Sequence, residues 1–178
     1  STFRRWLRSD ADYLRKHGVL PTTKVLPPKV VKYLIEKYRE RYRVKAAEES
    51  ALYDGVVTLL SELKKRGKKI AVASSKPLQF VEEISKYHDI YKYFDFVSAE
   101  SFKNNHSSKE DLINACLDFF GNPDKATVIM TGDRFYDIDG ANAVGIDSAG
   151  AVFGFGTVEE LTTAGATHIL NKPQDLLA

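Results

Sequence analysis

The second part of this 178-residue chain alternates short apolar runs with segments of helical periodicity, and this alternation constrains the fold most strongly. Strands separated by helices on short loops predict a parallel sheet covered by helices on both faces, that is, an α/β fold. The apolar runs predict strands at 69–74, 94–98, 126–131, 147–153 and 167–170. The periodic segments predict helices at 52–66, 77–87, 108–120 and 158–163, with one more that ends at Val144. Ligands of such sheets bind beyond the carboxyl ends of the strands, so the residues that follow each strand are the candidates for function.

The first 49 residues follow a different pattern. Apolar residues recur at helical spacing up to Gly18, a Pro-containing connector follows at 20–28, and a second helix is predicted at 29–45. One face of this second helix is basic, which predicts either a solvated surface or a wall that faces an anionic ligand. We therefore expect two domains, a helical part at 1–49 and an α/β core at 50–178.

Charge and cysteine content exclude several classes of protein. Lys and Arg number 26 and Asp and Glu 24, a net charge of +2, which gives no basic footprint for nucleic-acid binding. No apolar run approaches the ~18 residues of a membrane span, and no signal peptide is visible. Cys116 is the single cysteine and lies among apolar helical positions, which favours a core residue in a reducing compartment. We expect a cytoplasmic protein without nucleic-acid or membrane partners. Its oligomeric state is either a monomer or a homodimer.

Two acids follow the predicted third strand. Asp133 stands at the strand end and Asp137 comes one helical turn later, so both carboxylates can face one crevice. Two acids there, with Gly132 letting the backbone approach closely, suit an oxygen-binding cation such as Mg²⁺. The alternative is that Asp133 caps the following helix and Asp137 is solvated.

Two further strand ends carry groups that suit a phosphate. Ser74 and Ser75 follow the first strand, where a hydroxyl and the free amides of a helix start can bind phosphate oxygens. Alternatively, one of them is the N-cap of the helix that begins near Pro77. Lys109 lies at the start of the helix at 108–120, where a cation is unfavourable unless an anion lies in front of it. Otherwise it is a solvated surface lysine.

In their order and placement, these residues make the sequence resemble the haloacid dehalogenase superfamily, in its phosphoglycolate-phosphatase-like branch. The most diagnostic stretch is Gly-Asp-Arg-x-x-Asp-Ile-x-Gly-Ala at 132–141, and the likeness covers nearly the whole chain. The resemblance implies a Rossmann-like parallel sheet flanked by helices, with residues 1–49 as a helical cap that closes over the substrate.

The resemblance also implies roles for the candidate residues. Ser74, with Ser75 beside it, would bind phosphate oxygens, and Lys109 would steady the phosphoryl group and the nucleophile. Asp133 would bind Mg²⁺, and Asp137 would complete or orient that site. Ser74, Lys109 and Asp137 are therefore the expected catalytic residues of this chain.

One signature of the family is absent. The family's first, central strand ends in Asp-x-Asp-Gly-Thr, and its first Asp is the nucleophile; in this chain Asp10-Ala-Asp12 has the spacing but lies in an amphipathic helical pattern. That strand would lie between the strands that end in Ser74 and Thr131, so we expect that this chain alone cannot hold the ordinary sheet and is inactive alone. We favour a complementing N-terminal segment outside this sequence; another segment in the slot or a rearranged sheet are the alternatives.

We therefore expect a Mg²⁺-dependent phosphatase of a small phosphorylated metabolite, either phosphoglycolate-like or a nucleotide monophosphate. It would work through an aspartyl-phosphate, with charge neutralisation of the phosphoryl group supplying most of the rate. The alternatives are a non-catalytic phosphate-binding or interaction protein on the same fold, or a phosphomutase, which uses the same residues.

Overall fold

The computed structural model describes residues 28–100 and 108–178. The chain divides between Glu49 and Ser50 into two compact units, Ser1–Glu49 and Ser50–Ala178. The helix predicted before Gly18 lies outside the described residues. That the first unit acts as a cap stays a prediction.

Helix α1 (Pro28–Lys45) in the first unit confirms the helix predicted at 29–45. Among the basic residues on its described face, Lys37 and Lys45 pair with Glu40 and Glu48 at 2.7 Å and 2.5 Å. All four side chains are about half exposed, so these pairs are worth little to stability. They favour the solvated-surface interpretation of this face.

The second unit alternates strands and helices in the predicted order, which confirms the α/β class. The described strands are β1 (Ala71–Pro77), β2 (Phe96–Glu100), β3 (Ile129–Gly132), β4 (Asp147–Ala151) and β5 (His168–Leu170). The described helices are α2 (Val56–Lys65), α3 (Leu78–Tyr87), α4 (Lys109–Phe119), α5 (Phe135–Val144) and α6 (Val158–Thr163). Short 3₁₀ turns occupy Tyr91–Tyr93, Lys125–Thr127 and Pro173–Leu177.

All pairs of strands in the described residues are parallel, and they form two sheets, where the strand pattern by itself predicts one sheet and the absent central strand predicts an interruption. Strand β1 pairs with β2, and β4 lies between β3 and β5. Within residues 28–100 and 108–178, no ladder joins β1 to β3. The break falls where the sequence analysis expects the absent central strand, since that strand would pair with both of these neighbours.

Helices α4 and α5 connect the two sheets. Helix α4 packs on β1 and β2, α5 packs on β3 and β4, and the two helices pack on each other. Their contact buries Ile113 and Leu117 of α4 with Ala141 and Val144 of α5. Burial of such side chains is the main favourable term in folding, so this contact stabilises the molecule where the ladder is interrupted.

Local hydrogen bonds and turns set the start of α4 and the end of α2. The Ser108 hydroxyl accepts a hydrogen bond from the Asp111 amide at 3.1 Å, and the Asp111 carboxylate accepts one from the Ser108 amide at 2.8 Å. This capping box satisfies amides that the first turn of α4 leaves unpaired. Gly67, with a φ of 72°, closes the turn after α2.

None of the helices in the described part of the chain combines the length and the hydropathy that a bilayer-spanning segment requires.

Candidate active site

Lys109 lies at the centre of the candidate site and contacts one group within β1 and one in the helix that follows β3. Its Nζ donates a hydrogen bond to the backbone oxygen of Ala73 in β1 at 2.9 Å and lies 2.9 Å from Oδ1 of Asp137 in α5. The Lys109 side chain is only 10% exposed. The alternative of a solvated surface lysine is therefore wrong, and one ammonium group brings together two of the strand ends that the sequence singles out.

Asp137 is buried and held by two donors. Its Oδ1 pairs with Lys109, and its Oδ2 accepts a hydrogen bond from the Arg134 amide at 3.2 Å. A buried carboxylate needs such partners, because leaving one unpaired away from water is costly. The alternative of a solvated Asp137 is therefore wrong.

Two glycines make room for this ion pair. A Cβ on Gly132 would lie 2.2 Å from Cβ of Asp137, and a Cβ on Gly140 would lie 2.5 Å from Cγ of Lys109. Both distances are far inside van der Waals contact, so a larger residue at either position would displace one member of the pair. Gly132 thus makes room for Asp137, while the close approach of its backbone to a cation stays a prediction.

Asp133 directly follows β3 and is held by a loop after β4. Its Oδ2 accepts a hydrogen bond from the Phe155 amide at 2.9 Å. A Cβ on Gly154 would lie 2.4 Å from Cβ of Asp133, and one on Gly156 would lie 2.2 Å from its backbone oxygen. The described residues supply no hydrogen bond to Oδ1. The loop therefore fixes one carboxylate oxygen and leaves the other available, and the N-cap of α5 is Arg134 and not Asp133.

Ser74 and Ser75 lie inside β1, which continues to Pro77. The N-cap of α3 is Pro77, without a side-chain hydrogen bond, so neither serine caps that helix. The hydroxyl of Ser74 accepts a hydrogen bond from the Lys76 amide at 3.2 Å, and Ser75 is exposed. Ser74 directly follows Ala73, whose backbone oxygen accepts the hydrogen bond from Lys109.

Sequence reasoning did not find two contacts near Lys109 and Asp133, namely the Arg134–Glu160 pair and the hydrogen bond from the Phe155 amide. Nε of Arg134 donates to Oε1 of Glu160 at 2.8 Å, and the Phe155 amide donates to Asp133. The Glu160 hydrogen bond raises the pKa of Arg134, and Arg134 and then the Phe135 amide lower the pKa of Glu160. These contacts cross more than 20 residues of sequence; only the Gly-Phe-Gly triplet at 154–156 gave a local signal for them.

The carboxylates fit a magnesium ion in part. Asp133 offers a free oxygen at a strand end, and Mg²⁺ is commonly held by one or two carboxylates together with waters and substrate phosphates. Both oxygens of Asp137 are already bonded to donors. Over the part of the chain that the structure describes, no cluster of three or more His, Cys, Asp or Glu side chains could hold a metal by itself.

Among the other described residues that could carry chemistry, Cys116 has a structural role. Burial raises the pKa of the Cys116 thiol to about 11, so its reactive thiolate is scarce at neutral pH. The core position that the sequence predicts for it is confirmed. His88 Nε2 lies 2.8 Å from the Ser50 hydroxyl, and His168 is exposed.

Comparison with known proteins gives consistent matches. The family of haloacid dehalogenase-like hydrolases matches residues 9–151. A 5'-nucleotidase from Pseudomonas aeruginosa is 34% identical over 134 residues, 75% of this chain and 60% of that protein. The tyrosine-protein kinase PtkA of Mycobacterium tuberculosis is 31% identical over 137 residues, 75% of this chain and 47% of that protein. This chain thus spans only about half of the length of such relatives.

A phosphoglycolate phosphatase from Psychrobacter arcticus is 22% identical over 174 residues, 94% of this chain and 74% of that protein. Among solved structures, one from Clostridium difficile, assigned as a phosphatase, is 37% identical and superposes with a TM-score of 0.82, covering 86% of this chain and 73% of that one. A predicted phosphatase from Clostridium acetobutylicum is 32% identical with a TM-score of 0.76, covering 93% and 73%. The resemblance drawn from the motif at 132–141 is confirmed.

Proposed function

We propose, since this chain belongs to the haloacid dehalogenase-like hydrolase family, that it forms most of a Mg²⁺-dependent phosphatase acting on a small phosphorylated metabolite. The substrate is phosphoglycolate-like or a nucleotide monophosphate. The observation that carries the proposal is the position of Lys109, whose Nζ lies 2.9 Å from both the Ala73 oxygen and Oδ1 of Asp137. A cation fixed between two strand ends suits the transfer of a phosphoryl group.

The described residues would bind and orient the phosphate. Lys109 neutralises part of its charge, and Ser74 and Ser75 contribute hydroxyl groups beside it. Asp137 keeps the Lys109 ammonium in place, since an unpaired buried ammonium would turn toward water. In this assignment Asp137 is a positioning residue, which corresponds to the orienting role expected of it.

Asp133 would be the metal ligand of this chain, through the oxygen that Phe155 leaves free. When bound, Mg²⁺ would neutralise negative charge on the phosphoryl oxygens. The further role of Asp137 as a direct ligand stays a prediction.

The nucleophilic aspartate would come from a complementing segment outside this sequence, and this chain alone is expected to be inactive. Support comes from β1 and β3, which pair with β2 and β4 but in the described residues not with each other. The intact mass of the protein purified from its natural source tests this, since a covalently continuous segment makes it heavier than 20.0 kDa. The cytoplasmic location, the mobile cap and the monomer or homodimer stay predictions.

Asp133→Asn in the whole protein tests the site. The variant keeps the shape of the side chain but loses the charge that holds Mg²⁺, so we expect metal-dependent turnover to fall at least ~100-fold while the fold is retained. The matched control is Asp147→Asn, an exposed carboxylate at the amino end of β4. Unchanged turnover in Asp133→Asn would refute the assignment.

A second candidate function is a non-catalytic phosphate-binding protein, because the sequence holds no Asp-x-Asp-Gly-Thr segment. Release of phosphate from an aryl phosphate, with and without Mg²⁺, separates the two functions. Phosphate binding without release, in a protein shown by its mass to have no further segment, favours the second. A phosphomutase differs by returning the phosphoryl group to a sugar phosphate, which product analysis detects.

A further inference from the structure

Three exposed aromatic side chains lie beside the candidate active site. Phe135, Tyr136 and Phe155, here called the aromatic rim, are 45%, 44% and 70% exposed. Exposed apolar side chains beside a polar site can form a ligand-binding surface. The aromatic rim therefore suits a ligand that has a flat, apolar surface.

The rim is tied to the residues that would bind the phosphate and the metal. The Tyr136 ring centroid lies 5.9 Å from Nζ of Lys109. The Phe155 amide bonds Asp133, and the rings of Phe135 and Tyr136 lie 5.4 Å apart at an angle of 72°. A substrate whose phosphate reaches Lys109 and Asp133 would thus bring its leaving group to the rim.

Phe155 is held in this exposed position by its backbone. Its amide is bonded to Asp133, and the glycines on both sides pack directly on that residue. The side chain projects outward, in contrast to Phe153, whose ring packs edge-on against Tyr53 at 5.3 Å. An aromatic side chain displayed in this way offers its area to a ligand without the cost of ordering the loop.

The charges at the aromatic rim favour a substrate whose leaving group carries a flat ring over one whose leaving group carries a second anionic group. The cation next to Asp133 is Arg134, and it already pairs with Glu160 at 2.8 Å. Its guanidinium also lies 5.8 Å and 5.7 Å from the ring centroids of Phe135 and Tyr136. The carboxylate of a phosphoglycolate-like substrate would have to displace Glu160 to use Arg134, whereas a flat ring would not.

We propose that the leaving group of the substrate carries a flat aromatic ring that stacks on the aromatic rim, which makes nucleoside 5'-monophosphates the substrate class. This inference rests on the proposed phosphatase function and selects between its two substrate types. Stacking of a base on an aromatic side chain is tolerant of base identity, so we expect a preference for nucleotides over ring-free esters and little preference among the bases.

The test compares AMP, ribose 5-phosphate and phosphoglycolate as substrates of the whole protein with Mg²⁺. We expect kcat/KM for AMP to exceed that for ribose 5-phosphate by ~10-fold or more, mainly through KM. Phe155→Ala and Tyr136→Leu should reduce this ratio by ~10-fold. The control is Tyr87→Ala, which removes a ring that is 59% exposed on α3 and should leave the ratio unchanged.

The outcomes separate this inference from the proposed function. If all three esters are hydrolysed but AMP has no advantage, or if the rim variants slow every ester equally, the inference is wrong and the phosphatase stands. If no ester is hydrolysed, the phosphatase proposal fails. The rim is then judged by saturation-transfer NMR, where binding of AMP but not ribose 5-phosphate, lost in Phe155→Ala, supports it and equal binding overturns it.

Discussion

The ion pair of Lys109 and Asp137 is buried, and this determines how single substitutions act on it. Removing one partner leaves an uncompensated charge, so we expect Asp137→Leu to lower the free energy of unfolding by about 3 kcal/mol. The double variant Lys109→Met/Asp137→Leu removes both charges and should regain more than half of that loss, although it also removes the cation proposed to bind the phosphate. Urea unfolding of the unsubstituted protein, the two single variants Asp137→Leu and Lys109→Met, and the double variant measures this coupling; additive losses would mean that the two side chains do not stabilise each other.

Gly156 is expected to be the glycine least tolerant of substitution near Asp133. A Cβ at this position would lie 2.2 Å from the backbone oxygen of Asp133, which cannot turn away as a side chain can. Gly156→Ala should therefore displace Asp133 and raise the Mn²⁺ dissociation constant at least ~10-fold, measured by electron paramagnetic resonance with the whole protein. The control is Gly67→Ala, which strains a residue with a φ of 72° but meets nothing within 4 Å. Equal metal binding in both variants would contradict the prediction.

At this scale, sequence reasoning found the charged residues and missed what surrounds them. Asp133, Asp137 and Lys109 could be placed because residues that follow parallel strands meet at one edge. Burial of Lys109 could not be predicted, since it depends on Gly140 of another helix leaving room for the lysine stem. The hydrogen bond from Phe155 to Asp133 likewise depends on how two loops meet.

Among the elements, α4 owes its start to one capping residue. Ser108 exchanges hydrogen bonds with Asp111, and loss of such a cap typically costs about 1 kcal/mol. We expect Ser108→Ala to lower the free energy of unfolding by about that amount and Ser75→Ala, at an exposed position without a capping role, to change it little. Urea unfolding distinguishes them; similar effects would show that the cap contributes nothing.

Asp95 connects α2 to the start of β1, and its contribution to the stability of the fold depends on pH. The hydrogen bond from Lys64 first, and that from the Ile70 amide second, hold the pKa of Asp95 below its usual value. The carboxylate therefore stabilises the fold above the unfolded-state pKa near ~4 and loses this effect as the pH falls below it. Asp95→Asn should cost about 1 kcal/mol at pH 7 and less at pH 3 in urea unfolding. A cost that does not shrink at low pH would contradict this.

Most elements lie where the sequence places them, and the exceptions have local causes. Strand β1 runs on to Pro77 because its register with β2 shifts between Ser74 and Pro77, and such irregularities accept a proline. Strand β3 begins at Ile129 and not at 126, because Lys125–Thr127 forms a 3₁₀ turn capped by Asp124. Alternation of apolar residues cannot distinguish a tight turn from the first residues of a strand.

For the whole molecule, the interrupted ladder predicts uneven stability. Strand β4 pairs on both sides, and four of its five residues are buried, whereas β1 and β3 each pair on one side in the described structure. We expect amides of β4 to exchange with solvent at least ~10-fold more slowly than those of β1 and β3 in this chain, measured by hydrogen exchange and mass spectrometry. Equal protection of the three strands would mean that the slot between β1 and β3 is filled.

In the loop after β4, the backbone and the side chain of Phe155 have different surroundings. The backbone amide of Phe155 holds Asp133, while its side chain faces the solvent beside the candidate active site. A substitution at position 155 thus exchanges an exposed side chain while the backbone hydrogen bond to Asp133 can remain. If Asp133 binds the metal as proposed, substitutions at position 155 would change the recognition surface and keep the metal ligand in place.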